Sequence, residues 1–262
     1  MALSWPFEPW QLQSQSPAGN RHLGIIVGDS HAFTATVGID DALKGIGAAI
    51  LPITSAGCAP LIETTIFRRS GAKVDCGPRE AELREARQRG ADFAVLIARW
   101  NIYVPTDVRL GNSTRRLIGN ERPEKDQQAA FVSHLKKSLE SLKKRGFRRV
   151  LIVAPTPEFD RHPLRCVPRT HSKGSDIAVV CGERLDRVLD RRKLVMKLLA
   201  QAVKGFDDVR IADPLPAFCS QGVCSPANSR QILWRDNDHL SPHGVRVLAA
   251  ALKKDLAWVS ER

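Results

Sequence analysis

Apolar residues along the chain fall into short runs that alternate with segments of helical period. Five runs read as strands, because four to six apolar residues bounded by turn residues are typical of buried strands; they cover 23–27, 49–53, 93–98, 150–154 and 209–212. Helical spacing is found near the following positions: from Ser30 into 43–47, then 79–89, 126–145 and 185–203. This alternation predicts a three-layer α/β/α sandwich around a central, mostly parallel sheet of about five strands.

The last helix and one long loop are also predicted from the pattern. Ser241 is a favourable N-cap residue, and Pro242 follows it at the first helical position. Apolar residues then recur on one helical face as far as Leu256. The stretch 159–182 holds two cysteines and little periodicity. It is predicted to be a long loop that serves as a lid, a binding surface or a disulfide-tied cap.

Composition and charge narrow the class of protein. The chain has 262 residues, of which 43% are hydrophobic and 26% charged, as is typical of a globular protein. Residues 1–22 have too short an apolar run for a signal peptide and are predicted to be a linker or leader, with 23–262 as a single domain. The net charge of +12 favours anionic partners. We expect no nucleic acid among them, because no zinc spacing, RNP-like motif or aromatic-basic interleaving occurs.

Six cysteines are spread along the chain without metal-binding spacing, and no metal site is expected from them. Disulfides are one interpretation, and the locally simplest of the fifteen pairings is Cys58/Cys76, Cys166/Cys181 and Cys219/Cys224. Disulfides would indicate an oxidising compartment. The other interpretation is six free thiols in a cytosolic protein, which the lack of a signal peptide favours.

Polar residues that could take part in catalysis lie in three stretches at the ends of predicted elements. Gly28-Asp29-Ser30-His31 follows the first strand, Ala98-Arg99-Trp100-Asn101 follows the third, and "LWRDNDHLSPHG" precedes the last helix. In a parallel sheet, ligands bind at the carboxyl ends of the strands. We therefore expect these three stretches to converge.

Ser30 is the candidate nucleophile of the three stretches. Its hydroxyl needs a base, for which His239 is the candidate, and Asp236 could orient the imidazole through its other nitrogen. Simpler interpretations remain open: Ser30 could only cap its helix, His239 could be structural, and "DNDH" could be a polar turn or a weak metal site. Asp238 and His243 compete for the same roles, but His243 lies inside the predicted helix.

Several blocks together resemble a known family. "GDSHA", "SAGCAPL", "ARWNIY", "PTPEF" and "RDNDHLSPHG" are similar to the SGNH (GDSL-like) hydrolase superfamily, and more narrowly to the SGNH domains fused to family 3 membrane acyltransferases, which O-acetylate bacterial surface polysaccharides. The resemblance covers roughly 22–256. It implies Ser30 as nucleophile, His239 as base and Asp236 as orienting acid, with no cofactor.

The resemblance also implies an oxyanion hole. Its donors would be the backbone amide of Ser30, Gly57 in the second block and an asparagine in the third, for which Asn101 is the candidate. The third block departs from the family pattern, because "IARWN" stands in place of Gly-x-Asn-Asp and a direct alignment puts Trp100 at the asparagine position. Trp100 and Tyr103 could instead form an aromatic wall for a sugar or acyl group, or simply pack.

The residues predict serine-dependent acyl transfer, and the resemblance implies that the acyl group is acetyl and that it is transferred to or from a carbohydrate. The resemblance implies a periplasmic or other extracytoplasmic domain of an inner-membrane protein, with an acceptor or acetylated glycan as partner and an acyl donor supplied by a fused or associated integral membrane acyltransferase. The alternatives are a carbohydrate acetylesterase and, from another class, a non-catalytic glycan-binding domain. A cytosolic nucleotide or nucleic-acid binder is least favoured, because no phosphate-loop spacing is present.

Overall fold

The structure, a computed structural model, describes residues 22–62, 64–68, 72–104, 116–118, 124–229 and 231–261. The predicted linker, 1–22, lies outside these residues except for His22, which begins the first strand. The division into a linker and a single domain therefore stays a prediction. Across the described ranges, none of the helices combines the length and apolar character that a membrane span requires.

Ten strands and eight α-helices are found in the described part of the chain. The strands are β1 (His22–Gly28), β2 (Ala48–Thr54), β3 (Ile66–Arg68), β4 (Ala91–Ile97), β5 (Arg116–Ile118), β6 (Arg149–Val153), β7 (Glu183–Arg184), β8 (Val209–Ala212), β9 (Cys219–Ser220) and β10 (Val223–Cys224). The helices are α1 (Ser30–Lys44), α2 (Arg79–Gln88), α3 (Glu124–Lys144), α4 (Pro163–Ser172), α5 (Ile177–Cys181), α6 (Leu185–Val203), α7 (Pro242–Ala251) and α8 (Lys253–Ser260). Short 3-10 helices cover Trp100–Ile102 and Leu215–Ala217.

The central sheet has five parallel strands in the order β2-β1-β4-β6-β8. The five strands are those expected from the apolar runs, so the predicted fold class is confirmed. From β1 the chain passes first to β2 on one side and later to β4 on the other. Such a reversal of direction opens a crevice at the carboxyl ends of β1 and β4, where ligands bind in folds of this kind.

Both faces of the sheet are covered, which explains why its strands are apolar throughout. Side chains alternate between the faces: Ile25 and Val27 lie in one core cluster with residues of α2, α3 and α6. Ile26 lies in the other cluster, with residues of α1, α7 and α8. The two clusters give the molecule its three layers.

Two predictions about secondary structure are wrong in detail. The stretch 159–182, expected to be a long loop, contains α4 and α5. Pro168 inside α4 and the shortness of α5 explain why no helical period is visible there. The last helix begins at Ser241-Pro242 as predicted, but it is broken at Leu252 into α7 and α8. Its predicted apolar face is nevertheless buried on both sides of the break.

The six cysteines form three disulfides, which confirms the disulfide interpretation. The pairs are Cys58–Cys76, Cys166–Cys181 and Cys219–Cys224, the locally simplest set. The second bond joins α4 to α5, and the third closes the hairpin of β9 and β10. The alternative of six free thiols is therefore wrong.

Candidate active site

The turn between β1 and α1 presents Ser30 at the carboxyl edge of the sheet. Gly28 ends β1 so close to β4 that a Cβ atom there would lie 1.7 Å from the carbonyl oxygen of Ile97. Asp29 then caps α1, its Oδ1 accepting the backbone N–H of His31 at 2.9 Å. The helix cap is thus Asp29, and the interpretation of Ser30 as a mere cap is wrong. The Ser30 side chain remains available for another contact.

Ser30, His239 and Asp236 lie in one hydrogen-bonded row. The Oγ atom of Ser30 is 2.8 Å from Nε2 of His239, although the two residues are 209 positions apart. Nδ1 of His239 lies 2.9 Å from Oδ2 and 3.1 Å from Oδ1 of Asp236. A hydroxyl, an imidazole and a carboxylate in this order can generate a nucleophilic serine, because the imidazole accepts the hydroxyl proton and the carboxylate stabilises the resulting imidazolium.

Asp236 is held in its ionised form. Burial alone would raise the pKa of its carboxyl. Hydrogen bonds from the side chain and backbone of His239 and from the backbone N–H of Asp238 outweigh burial and hold that pKa well below its usual range. An ionised carboxylate can only accept a hydrogen bond from Nδ1–H of His239, which fixes the tautomer that leaves Nε2 free to accept from Ser30.

The loop that carries Asp236 and His239 is anchored in its middle and at its C-terminal end. Asn237 accepts a backbone hydrogen bond from Phe159 at 2.8 Å and donates its side-chain amide to the Phe159 carbonyl at 2.6 Å. Ser241 caps α7 by accepting the N–H of Gly244. A Cβ at Gly244 would lie 2.0 Å from the carbonyl oxygen of Leu233, so glycine lets α7 approach the loop. The base and its acid are therefore fixed by local backbone contacts.

A comparison with protein families identifies the family to which the chain belongs. The family model described as "SGNH domain (fused to AT3 domains)" matches residues 8–254, which is most of the chain. The chain belongs to this SGNH family. It is therefore an SGNH-type acyltransferase or esterase, of a family whose domains are fused to AT3 membrane acyltransferase domains.

Solved structures agree with the fold of the SGNH domain. The periplasmic domain of a lipopolysaccharide acetyltransferase from Salmonella ser. Paratyphi A is 14% identical, with a TM-score of 0.64, 90% of this chain and 84% of that chain being covered. The C-terminal catalytic domain of peptidoglycan O-acetyltransferase A from Streptococcus pneumoniae is 13% identical over 91% and 94% of the two chains, but its TM-score of 0.38 supports no conclusion. A search of the curated proteins found no significant match.

The aromatic wall expected from Trp100 and Tyr103 is wrong, because both side chains are fully buried. The indole N–H of Trp100 donates to the carbonyl oxygen of Val153 at 2.8 Å. The Tyr103 hydroxyl donates to Oδ2 of Asp29 at 2.9 Å, and the same oxygen accepts the backbone N–H of Arg99. In the SGNH domain Tyr103 therefore supports the nucleophile turn, Trp100 ties the segment after β4 to the end of β6, and neither side chain is exposed to a substrate.

The structure places the three expected oxyanion donors in three different environments. Asn101 is buried, and its side-chain amide donates to Oε1 of Glu158 at 3.1 Å, which directs it to a carboxylate and not to Ser30. Gly57 lies in the loop after β2, at the same sheet edge as Ser30, with a positive φ of 72° that glycine adopts easily. The backbone amide of Ser30 belongs to the first turn of α1, where N–H groups lack helical partners. Their oxyanion roles stay predictions.

A charged network beside the triad was missed from the sequence. Arg99 contacts Oε2 of Glu158 at 2.6 Å and Oδ2 of Asp238 at 2.8 Å. His31 lies 3.4 Å from the same Asp238 oxygen, and its ring centroid is 4.8 Å from that of His239. Burial alone would lower the pKa of His31, but Asp238, Asp29 and Glu158 outweigh it and raise that pKa. The sequence did contain one signal for this network, because Arg99 is a charged residue directly after an apolar strand.

The competing assignment of Asp238 as the orienting acid is less favourable geometrically. Its Oδ1 lies 3.5 Å from Nδ1 of His239, compared with 2.9 Å for Asp236. His31, Asp238 and His239 also form the one described group whose ligand atoms, all within 4.8 Å of one another, could hold a metal ion. Arg99 already neutralises Asp238, and His239 is bonded to Ser30 and Asp236. Hydrogen bonds and an ion pair thus occupy these donor atoms, which fits the triad better than a metal site.

A cavity of about 340 Å³ opens beside His239. Its walls come from the triad loop, from the segment after β6 and from α6; they are Arg99, Glu158, Phe159, Asp160, His162, Arg191, Asp236, Asn237, Asp238 and His239. The cavity is polar and charged, which suits a hydroxylated ligand better than a long acyl chain. A sugar hydroxyl in this space would lie next to the base.

Proposed function

We propose that this SGNH domain transfers an acetyl group to or from a carbohydrate through a covalent acyl-Ser30 intermediate. The observation that carries the proposal is the row of contacts from Ser30 Oγ to His239 Nε2 at 2.8 Å and from His239 Nδ1 to Asp236 at 2.9 Å. A domain that only binds glycans has no need of this geometry. Membership of the SGNH family supports the same chemistry.

The first half-reaction forms the acyl-enzyme. Ser30 Oγ attacks the carbonyl carbon of the acyl donor while His239 Nε2 takes the hydroxyl proton, and Asp236 stabilises the imidazolium. The tetrahedral oxyanion would be met by unpaired backbone N–H groups at the start of α1. When it collapses, the bond to the leaving group breaks and His239 returns the proton to that group.

The second half-reaction resolves the intermediate. An acceptor hydroxyl, placed in the cavity beside His239, gives its proton to Nε2 and attacks the acyl carbon, and Ser30 leaves with that proton restored. A sugar hydroxyl gives transfer, whereas water gives hydrolysis. Transfer is the function we favour, because the domains of this family are fused to AT3 membrane acyltransferase domains that could supply acyl groups.

The setting of the reaction follows from the disulfides and from the relatives. Three disulfides are typical of proteins in an oxidising compartment. The structurally similar Salmonella domain is periplasmic and belongs to a lipopolysaccharide acetyltransferase. We therefore propose that the chain is a periplasmic or otherwise extracytoplasmic domain of an inner-membrane protein. Its acceptor is a bacterial surface glycan, and a fused or associated membrane acyltransferase supplies the acyl group.

Replacing the nucleophile tests the proposal directly. Ser30→Ala should lower kcat/KM for 4-nitrophenyl acetate by about 10³-fold or more, because the hydroxyl that contacts His239 is removed. A serine-reactive phosphonate should add its mass to the parent and not to Ser30→Ala. Ser220→Ala, an exposed serine on β9, is the matched control and should behave as the parent. Equal rates for Ser30→Ala and the parent would refute the acyl-Ser30 intermediate.

A further inference from the structure

A second, more open depression adjoins the cavity beside His239. It has a volume of about 640 Å³ and is lined mainly by α4 and the segments on either side of it; its lining residues are Arg161, His162, Arg165, Cys166, Arg169, Thr170, Lys173, Ser175 and Val180. We refer to this set as the basic groove. His162 lines both cavities, so the basic groove and the catalytic cavity meet at that side chain.

The charge of the basic groove is not compensated by the protein. Arg165, Arg169 and Lys173 follow each other at four-residue steps, which places them on one side of α4 and its C-terminal end. Among the described residues, none of the three forms an ion pair, while the nearby Asp160 is taken by Arg187 and Arg191. The three cations are therefore free to contact an anionic group beside the catalytic cavity.

The basic groove is also held in shape. The Cys166–Cys181 disulfide fixes α4 against α5, and Arg161 donates to the carbonyl oxygen of Val180 at 2.7 Å. These two contacts hold the residues that flank α4 against α5.

We propose that the basic groove binds the acceptor glycan of the reaction and that this glycan carries anionic groups, carboxylates or phosphates. The glycan chain lies along α4, its anionic groups contact Arg165, Arg169 and Lys173, and it passes His162 so that one hydroxyl reaches His239. This inference rests on the proposed function for its direction, since the groove leads to the triad. The binding itself requires no acyl transfer and can be measured separately.

An anionic membrane surface is the competing partner. Leu164 on α4 and Val179 on α5 are exposed, and exposed aliphatic side chains beside basic ones are typical of membrane-surface sites. Two features favour a glycan. The basic residues border a surface depression, and that depression shares His162 with the catalytic cavity.

The test compares the full chain with a variant in which Arg165, Arg169 and Lys173 are replaced by glutamine. All three side chains are exposed, so the fold should be kept, which circular dichroism can verify. The matched control replaces three exposed lysines away from α4, Lys193, Lys197 and Lys254, and removes the same charge. Titration calorimetry with oligogalacturonate, with a neutral maltooligosaccharide of equal length and with vesicles of phosphatidylglycerol and phosphatidylcholine provides the readouts.

We expect the parent to bind oligogalacturonate more tightly than the neutral sugar, and more weakly as salt is added. The α4 variant should lose about tenfold in affinity, as three exposed contacts to anions would give, while the control stays within about twofold of the parent. Equal loss in both variants would overturn the inference, as would equal affinity for the neutral sugar. Binding to the vesicles without binding to oligogalacturonate would show that the basic groove contacts a membrane and not a glycan. Ser30→Ala should bind oligogalacturonate as the parent does, so failure here is distinguishable from failure of the proposed chemistry.

Discussion

The side chain of Asp29 accepts hydrogen bonds from three parts of the chain, and these contacts hold the turn that carries Ser30. Oδ1 accepts the N–H of His31 and caps α1, while Oδ2 accepts the N–H of Arg99 and the Tyr103 hydroxyl. A buried carboxylate is costly unless its lone pairs are satisfied. Asp29 is buried and has these partners, so the same residue caps the helix and joins the ends of β1 and β4.

Replacing Asp236 by asparagine tests the assignment of the orienting acid. Asp236→Asn keeps the shape but no longer stabilises the imidazolium of His239 or selects its tautomer. We expect kcat for ester hydrolysis to fall by about 10³- to 10⁴-fold, measured by steady-state kinetics. Asp207→Asn, an exposed aspartate, is the control and should have no effect. If Asp238→Asn caused the large loss and Asp236→Asn did not, the acid would be Asp238.

The charge on His31 should make stability depend on pH. Because Asp238, Asp29 and Glu158 raise the pKa of His31 above its usual value of 6.5, its contribution is fully present below that value. The contribution is lost as pH rises through the raised pKa of the folded state. His31→Leu should therefore lower the free energy of unfolding by about 1 kcal/mol near pH 5.5 and by less near pH 9, as measured by urea denaturation.

The control for this experiment is His171→Leu, an exposed histidine on α4. Near pH 5.5 it should lower the free energy of unfolding by less than His31→Leu does. A loss for His31→Leu that does not vary with pH would mean that packing, and not charge, is what His31 contributes.

The α4–α5 segment combines a disulfide with a small apolar cluster. The buried members of the cluster are Val167, Cys181 and Ala227, and four partly buried residues pack against them. The Cys166–Cys181 disulfide closes a loop with a sequence separation of 15 and restricts the unfolded chain accordingly. The shape of the basic groove therefore rests largely on this bond.

Removing that bond gives a prediction for the element. Replacing both Cys166 and Cys181 by alanine should lower the free energy of unfolding by about 3 kcal/mol, measured by urea denaturation. It should also weaken binding of oligogalacturonate, because α4 is no longer fixed against α5. The matched control replaces Cys219 and Cys224, whose separation is 5, and should leave glycan binding unchanged. Equal weakening in both double variants would show that the groove does not depend on the α4–α5 bond.

Across the whole molecule, the site is assembled from contacts between distant parts of the chain. Ser30 and His239 are separated by 209 residues, and Arg99 and Glu158 by 59, yet each pair is in direct contact. The parallel sheet makes this possible, because successive strands deliver their following loops to one edge. The sequence carries a net charge of +12, and several of its cationic side chains line the basic groove next to the triad.

Sequence patterns were sufficient to predict the five strands of the central sheet and the helix cap at Ser241. They also singled out Ser30, His239 and Asp236, the residues that form the hydrogen-bonded row. Alternation of apolar runs with helical periods encodes the layers locally, and the blocks "GDSHA" and "RDNDHLSPHG" encode the row through residue type and spacing. The disulfide pairs were the simplest ones because each closes a short loop.

Only tertiary packing decided the directions of the side chains in the segment after β4. Trp100 and Tyr103 follow a strand at the functional edge, and no pattern within the sequence tells whether such side chains face a ligand or the core; here both are buried. Asn101 is directed to Glu158, and Arg99 bridges Glu158 and Asp238. The direction of a loop side chain depends on which distant residues fill the space around it, and that information is present only once the layers have packed.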